Sequence, residues 1–404
     1  MGIYSYLFGI HRNRKDKVPP KTTSKPVITR CKQIITAVPG QLPIDNGCIV
    51  LKGDTILDIG QYSELKKHYS GTAVDLGHIT LTPGLINAHC HLKLSKLKGK
   101  TLAGQGFVPW LLSMLAQDYQ DTDFTAVTDA VIQAKNQGTC CFGDIITSDD
   151  ARISTILTEL DMFHTCFCEA FGFSSITPKI TPIPYGKSTL GAITGGGHAL
   201  HTTGANVLQT VKKQCSARDL PFSIHMAEHE DETGMLMGEE NRFYTLLKEN
   251  GILQDNFIPP MKTPVEYGRD LGLLDNTTLA VHCVQVSDSD LQILNKTGTS
   301  ICLCPRSNEF IGVGRAPLEK ILATEINVCL GTDSLASNHD LNLWNELSFF
   351  IREIDMKCSI AEAVQLLSHN PAHALLMADR LGTLERGKVW RYAIMPDEVV
   401  DLFQ

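Results

Sequence analysis

The chain has 404 residues, 43% of them hydrophobic and 20% charged, and a formal net charge of −8. That length holds one barrel of about 250–300 residues plus a smaller domain, and the composition is that of a globular chain. The acidic balance, with 36 Lys and Arg that cluster only at 12–17 and 96–100, excludes the basic footprint of a nucleic-acid-binding protein.

No run of 18 apolar residues occurs, so no membrane span is predicted. Residues 1–10 lack the leading charge and the small-residue cleavage site of a signal peptide. Tyr6 stands where a myristoylation signal after Gly2 needs Ser or Thr. Residues 11–30, polar, basic and carrying Pro19, Pro20 and Pro26, read as an irregular lead-in. Short extended pieces follow at 27–37, 47–51 and 55–59, with Gly and Asp turns between them. They predict a small β domain.

From residue 80 the rhythm changes. Eight short apolar runs recur at 80–88, 138–145, 164–173, 197–201, 221–227, 278–284, 300–303 and 326–330. Stretches between them, at 125–136, 205–214, 288–296 and 316–324, carry apolar residues at helical spacing. Eight alternations of strand and helix predict an α/β fold, a distorted (β/α)8 barrel of parallel strands. The connections 92–137 and 229–276 exceed what one helix needs, and long loops on the C-terminal face of a barrel build substrate pockets. After Asp379 the chain returns to extended pieces at 380–384 and 389–395. The expected division is therefore 1–82 and 380–404 for a small β domain made from both chain ends, and 83–379 for the barrel.

The thirteen cysteines are odd in number and mostly lie inside apolar runs, Cys302 and Cys304 included. They read as small buried hydrophobes in a reduced, cytoplasmic protein.

Chemistry concentrates at the ends of the runs. His89 and His91 close the first; two residues apart on a strand, they face the same side. His225 and Glu228 close the fifth, His282 the sixth and Asp333 the eighth. Neutral imidazoles with one carboxylate suit a divalent metal, zinc or iron. A Glu three residues past a ligand His suits a proton shuttle for activated water. His282 fits either a further ligand or a hydrogen-bonding partner of that water or of the substrate. The adjoining His229, Glu230, Asp231 and Glu232 read as loop surface.

Together, Pro83-Gly84-Leu85-Ile86-Asn87-Ala88-His89-Cys90-His91, His225-Met226-Ala227-Glu228, His282-Cys283 and Gly331-Thr332-Asp333-Ser334-Leu335-Ala336-Ser337-Asn338 resemble the amidohydrolase superfamily. The branch they look most like is that of the nucleobase and nucleoside deaminases, which also holds the triazine chlorohydrolases. The resemblance spans roughly residues 45–388. It implies a barrel with a β-sandwich from both chain ends and one divalent metal, Zn2+ or else Fe2+. The implied ligands are His89, His91, His225 and Asp333. Glu228 would shuttle protons, and His282 would orient the hydroxide or the substrate. Asp333 would also assist in taking the proton from water.

For substrate contact the candidates are Arg306, Ser307 and Asn308 in the loop after the seventh run, His198 and His201 after the fourth, and Trp110 as a stacking platform. Arg306 fits either a bidentate contact to a carboxylate or phosphate or a loop anchor. Trp110 fits core packing equally. The sequence departs from the family pattern at Lys93, at Gln285 and in 387–392, where the usual Ala-Asp is missing.

The Cys304-Pro305-Arg306-Ser307-Asn308 loop most resembles deaminases of 5′-modified adenosines, with aminodeoxyfutalosine, methylthioadenosine and S-adenosylhomocysteine as candidate small-molecule substrates. Guanine deamination and triazine dechlorination use the same activated water. A cyclic amide or imide hydrolase and a silent ligand-binding barrel are the readings from other classes. A homodimer is common in the family.

Overall fold

A computed structural model of the chain describes residues 26–147, 150–172, 183–253, 257–354 and 357–403. The apolar start and the basic run at 12–17 lie outside the described residues.

Eight parallel strands form one sheet in strict chain order: β1 (Leu85–Cys90), β2 (Thr139–Ile146), β3 (Phe163–Ala170), β4 (Gly191–Ala199), β5 (Phe222–Met226), β6 (Thr278–His282), β7 (Ser300–Leu303) and β8 (Val328–Leu330). Each overlaps one of the eight apolar runs, but β4 starts six residues before the expected 197–201 and shares only its last three residues with it, and residues 80–83 of the first run form a separate strand, Thr80–Pro83. β1, β2, β5, β6, β7 and β8 are buried along their whole length. A parallel strand covered on both faces is apolar throughout instead of alternating. The sheet comes round on itself where the Thr332 and Asp333 amides both donate to His89 O at 3.1 Å. Asn87 reinforces the seam: its Nδ2 donates to Thr332 Oγ1 at 2.7 Å and its Oδ1 accepts from the Thr332 amide at 3.1 Å. The barrel is thus tied shut beside two of its chemically important residues.

Gly331 is needed at this seam. A Cβ there would lie 2.8 Å from Cys302 Sγ and 2.8 Å from both N and O of His89. Backbone cannot yield as a side chain does. Gly331→Ala is expected to destabilise the fold by about 1–3 kcal/mol, the usual size of an overpacking penalty. A lowered urea midpoint is the readout; an unchanged one contradicts the close approach.

The helices begin where the sequence supplies caps. Asp123 accepts from the amides of Thr125 and Ala126 to start Phe124–Asn136. Capping boxes at Thr263/Glu266, Ser287/Asp290 and Ser359/Glu362 open Pro264–Asp270, Asp288–Thr297 and Ile360–Leu367. The two long connections are mostly helical, holding Leu92–Leu97 and Phe107–Leu115 in one and Glu230–Leu236, Arg242–Glu249 and Pro264–Asp270 in the other. Among the described residues no helix is long and apolar enough to cross a membrane.

Gly186–Lys187 pairs antiparallel with β4, and the other described strands form two four-stranded sheets. One runs Thr55–Gln61, Gly47–Lys52, Val27–Arg30, Thr72–Asp75; the other runs Tyr392–Met395, Thr80–Pro83, Gln33–Ile34, Ile44–Asp45. They share one apolar core, in which Ile49, Leu51 and Ile56 of the first meet Ile34 and Leu81 of the second. The C-terminal segment joins both: Tyr392–Met395 pairs antiparallel with Thr80–Pro83, and Val389 bridges Thr55. The expected extended piece at 380–384 is instead turns. Its Leu381 and Leu384 are buried, so the apolar pattern served packing without a ladder.

Candidate metal centre

Strand ends place the site. Ala227, His282 and Asp333 follow or close β5, β6 and β8 in the left-handed region, at φ 52°, 74° and 56°. Such a backbone is unfavourable for a residue with a side chain and tends to persist at functional sites.

His91 Nε2 lies 3.2 Å from His89 Nε2 and 3.3 Å from His225 Nε2. Asp333 Oδ1 is 3.7 Å from His89 Nε2 and 3.5 Å from His91 Nε2. Four ligand atoms at tetrahedral corners, each about 2.1 Å from a metal, stand about 3.4 Å apart. Ring protonation agrees with that fit. His225 Nδ1 donates to His198 O at 2.9 Å, leaving Nε2 as the lone-pair nitrogen. Burial lowers all three imidazoles, His91 to about 3, so they are neutral. Asp333 is held well below the usual carboxylate range: burial alone would raise it, but the facing His89, His91 and His282 rings outweigh that. The donor set fits a divalent metal.

The second oxygen of Asp333 is occupied. Ser307 Oγ and Ser337 Oγ each donate to Oδ2 at 2.7 Å. Oδ1 is thereby turned to the histidines. Replacing both serines by alanine is expected to lower metal affinity or activity about 10–100-fold, the usual effect of losing a ligand's supporting hydrogen bonds; unchanged metal binding and rate contradict it.

Glu228 is buried, and that burial pushes its carboxyl up to about 7. Its Oε1 stands 3.7 Å from His282 Nε2, and its amide donates to Glu232 Oε2 at 2.9 Å. His282 Nδ1 donates to Asn308 Oδ1 at 3.0 Å, which turns its Nε2 toward the site. The structure therefore brings His89, His91, His225, Glu228, His282 and Asp333 together.

The substrate candidates fare differently. Ser307 and Asn308 face Asp333 and His282, acting on the site through them. Arg306 makes a bidentate pair with Asp340 at 2.8 and 3.1 Å; its fork serves as a loop anchor. Trp110 is buried, and its Nε1 donates to Ala336 O at 2.9 Å. It packs beside Leu97, Val284 and Ile311, so core packing is the role the geometry gives it. His198 lies beside His225, with ring centroids 5.3 Å apart, and Phe171, exposed, covers its other side at 5.2 Å. His201 is buried with Nδ1 3.6 Å from Glu232 Oε1. Lys93 pairs with Asp150 at 3.0 Å, and Gln285 donates to Val313 O at 3.1 Å.

Three residues escaped the sequence reading. Glu169 ends β3 with Oε1 3.7 Å from His225 Nδ1, and burial pushes it up to about 8. A lone carboxylate within the run 164–173 was its available signal. His229 and Glu232, expected on the loop surface, are 2% and 0% exposed. They form the N-cap and third position of Glu230–Leu236, and the side chain of Glu232 turns inward to cap the Glu228 amide.

Residues 80–400 match the model of the amidohydrolase family. The chain belongs to that family. It is accordingly a hydrolase acting on carbon–nitrogen bonds. The 5-methylthioadenosine/S-adenosylhomocysteine deaminase of Thermoanaerobacter pseudethanolicus is 28% identical over 381 residues, 85% of this amidohydrolase and 79% of the relative. The 5′-deoxyadenosine deaminase of Methanothrix thermoacetophila is 25% identical over 327 residues, 79% of this chain and 72% of its own. The fold is shared with the aminofutalosine deaminase of Helicobacter pylori crystallised with methylthio-coformycin, at TM-score 0.80, 20% identity and 91% coverage of both chains. It is also shared with the zinc-complexed atrazine chlorohydrolase of Arthrobacter aurescens, at TM-score 0.77, 16% identity and coverage of 94% and 91%.

Proposed function

We propose that this amidohydrolase is a zinc-dependent deaminase that releases ammonia from an adenosine-type nucleoside modified at the 5′ position. The observation that carries the reading is the placement of Glu228. It is a buried carboxyl with a value near neutrality, at the edge of a converging His89, His91, His225 and Asp333 set, with His282 opposite. The names of the curated relatives supply the substrate class.

These four residues would hold a zinc ion, which would supply water of lowered pKa, roughly 7, and charge stabilisation. The chain's own groups do the rest. Glu228 accepts the proton of the attacking water and delivers it to a ring nitrogen next to the carbon that carries the amino group. That carbon becomes tetrahedral, and ammonia leaves with the remaining proton of the added water, which Asp333 Oδ1 accepts from the new hydroxyl and which is passed to the amino group. His282, fixed by Asn308, holds the attacking water in line through Nε2. Ser307 and Ser337 hold the other oxygen of Asp333 throughout.

The test is ammonia release from methylthioadenosine, S-adenosylhomocysteine, 5′-deoxyadenosine, aminodeoxyfutalosine, guanine and a chlorotriazine. Turnover of an adenosine-type compound supports the assignment. Turnover of guanine or the chlorotriazine alone replaces it. Silence on the whole panel, with metal bound, moves cyclic amide hydrolysis forward. The thirteen cysteines form no disulfide among the described residues and twelve of them are buried, which fits a cytoplasmic setting where thiols stay reduced.

A further inference from the structure

Behind Glu228 lies a second cluster that the deamination chemistry leaves unused. His201, His229 and Glu232 are 2%, 2% and 0% exposed, and one ligand atom from each lies within 4.8 Å of the others. His201 Nδ1, His229 Nε2 and Glu232 Oε1 are buried without a hydrogen-bond partner. Leaving such atoms unmatched is unfavourable, and a fully buried carboxylate needs a compensating positive charge. The ion-pair contact of Glu232 is His201, at 3.6 Å, beyond hydrogen-bond reach.

That 3.6 Å spacing falls among the 3.2–3.7 Å spacings of the first site, and it is the separation expected for two ligands sharing one small dication. The spacing in sequence also repeats: His225-x-x-Glu228 is followed at once by His229-x-x-Glu232. On the first helical turn, residues three apart lie on one side. The ring of His229 is fixed from its face by Phe107, with centroids 3.8 Å apart and planes 11° apart, and Phe243 meets both His201 and His229 edge-on. An aromatic wall of this kind keeps water from competing for a metal. The Glu232 amide donates both to His229 O at 3.2 Å and to His229 Nδ1 at 3.3 Å, so Nε2 is the ring nitrogen left without a partner.

We infer that His201, His229 and Glu232 form a second divalent-cation site of the zinc type, with two imidazole nitrogens and one carboxylate oxygen as ligands. Glu232 would serve it through Oε1 while Oε2 keeps the Glu228 amide, so the cation fixes the backbone of the proton shuttle. Its existence does not depend on the deaminase assignment, because metal content is read without activity.

The experiment counts zinc by mass spectrometry in protein dialysed against excess zinc and then desalted. Wild type is expected to hold about two ions per chain, and His201→Asn and His229→Asn about one each, the remaining ion being lost when His89→Ala is added. One ion in the wild type, unchanged in the variants, overturns the site. So do two ions that survive both substitutions. Should the variants fail to fold, Co2+ titration of chelator-stripped wild type decides. Two successive equivalents in the visible absorption bands support the site, and saturation at one overturns it.

Discussion

Glu228→Gln is expected to lower kcat by about a hundred- to ten-thousand-fold, the usual range for removing a positioned general acid–base group. The amide keeps the shape and the contact to His282 but can neither take a proton from water nor hand one to the substrate. Zinc content should stay at the wild-type level, because the converging nitrogen and oxygen atoms come from His89, His91, His225 and Asp333. The pH profile adds a second readout. Burial is the main cause of the shift of Glu228 to about 7; the Asp333 and Glu232 carboxylates add to it, and His282 and His201 oppose it. The working form is the carboxylate, which fills as pH rises. The rate should therefore climb about tenfold per pH unit below 7 and level off above it. The glutamine variant should lack that limb. A variant that keeps both the rate and the limb would remove Glu228 from the mechanism.

Stripping the metal is expected to abolish turnover and lower the thermal midpoint together, and added zinc should restore both. Without a cation, His91 Nε2 lies 3.2 and 3.3 Å from the Nε2 atoms of His89 and His225, and Asp333 is left as a buried carboxylate. Binding to the folded state alone stabilises it by about 4 kcal/mol at a thousandfold excess over Kd. For a chain of this size that corresponds to a shift of several degrees. The check is a thermal melt with an ammonia assay on dipicolinate-treated protein, before and after zinc. Full activity in protein shown to be metal-free would defeat the reading. A midpoint that does not move would mean the site is held rigid by the Asn87–Thr332 seam and the serines alone.

Strand period is a local property, and it carried far here. All eight apolar runs overlap barrel strands in chain order, because a strand buried on both faces must be apolar along its length; the fourth strand, glycine-rich and partly exposed, starts six residues before its run. The same logic put His89, His91, His225, His282 and Asp333 at strand ends, and a parallel barrel brings all such ends to one mouth. Turn and cap chemistry was equally local, as Thr263-Pro264-Val265-Glu266 illustrates.

What did not show in the linear chain was which loop atoms meet across the mouth. Ser307 reaches Asp333 from 26 positions away, and Asn308 reaches His282 from another 26; Asp340 captures Arg306 from 34. A polar residue in a loop looks the same in sequence whether it contacts substrate, orients a catalytic neighbour or pairs with another loop. Burial is also settled by neighbours remote in sequence. Glu232 stands in the acidic run Glu230–Glu232 yet is fully enclosed, because its helix N-terminus turns it under Glu228 while Phe107 and Phe243 close over the adjoining histidines. Packing of separate loops makes those assignments, and no period in the chain encodes it.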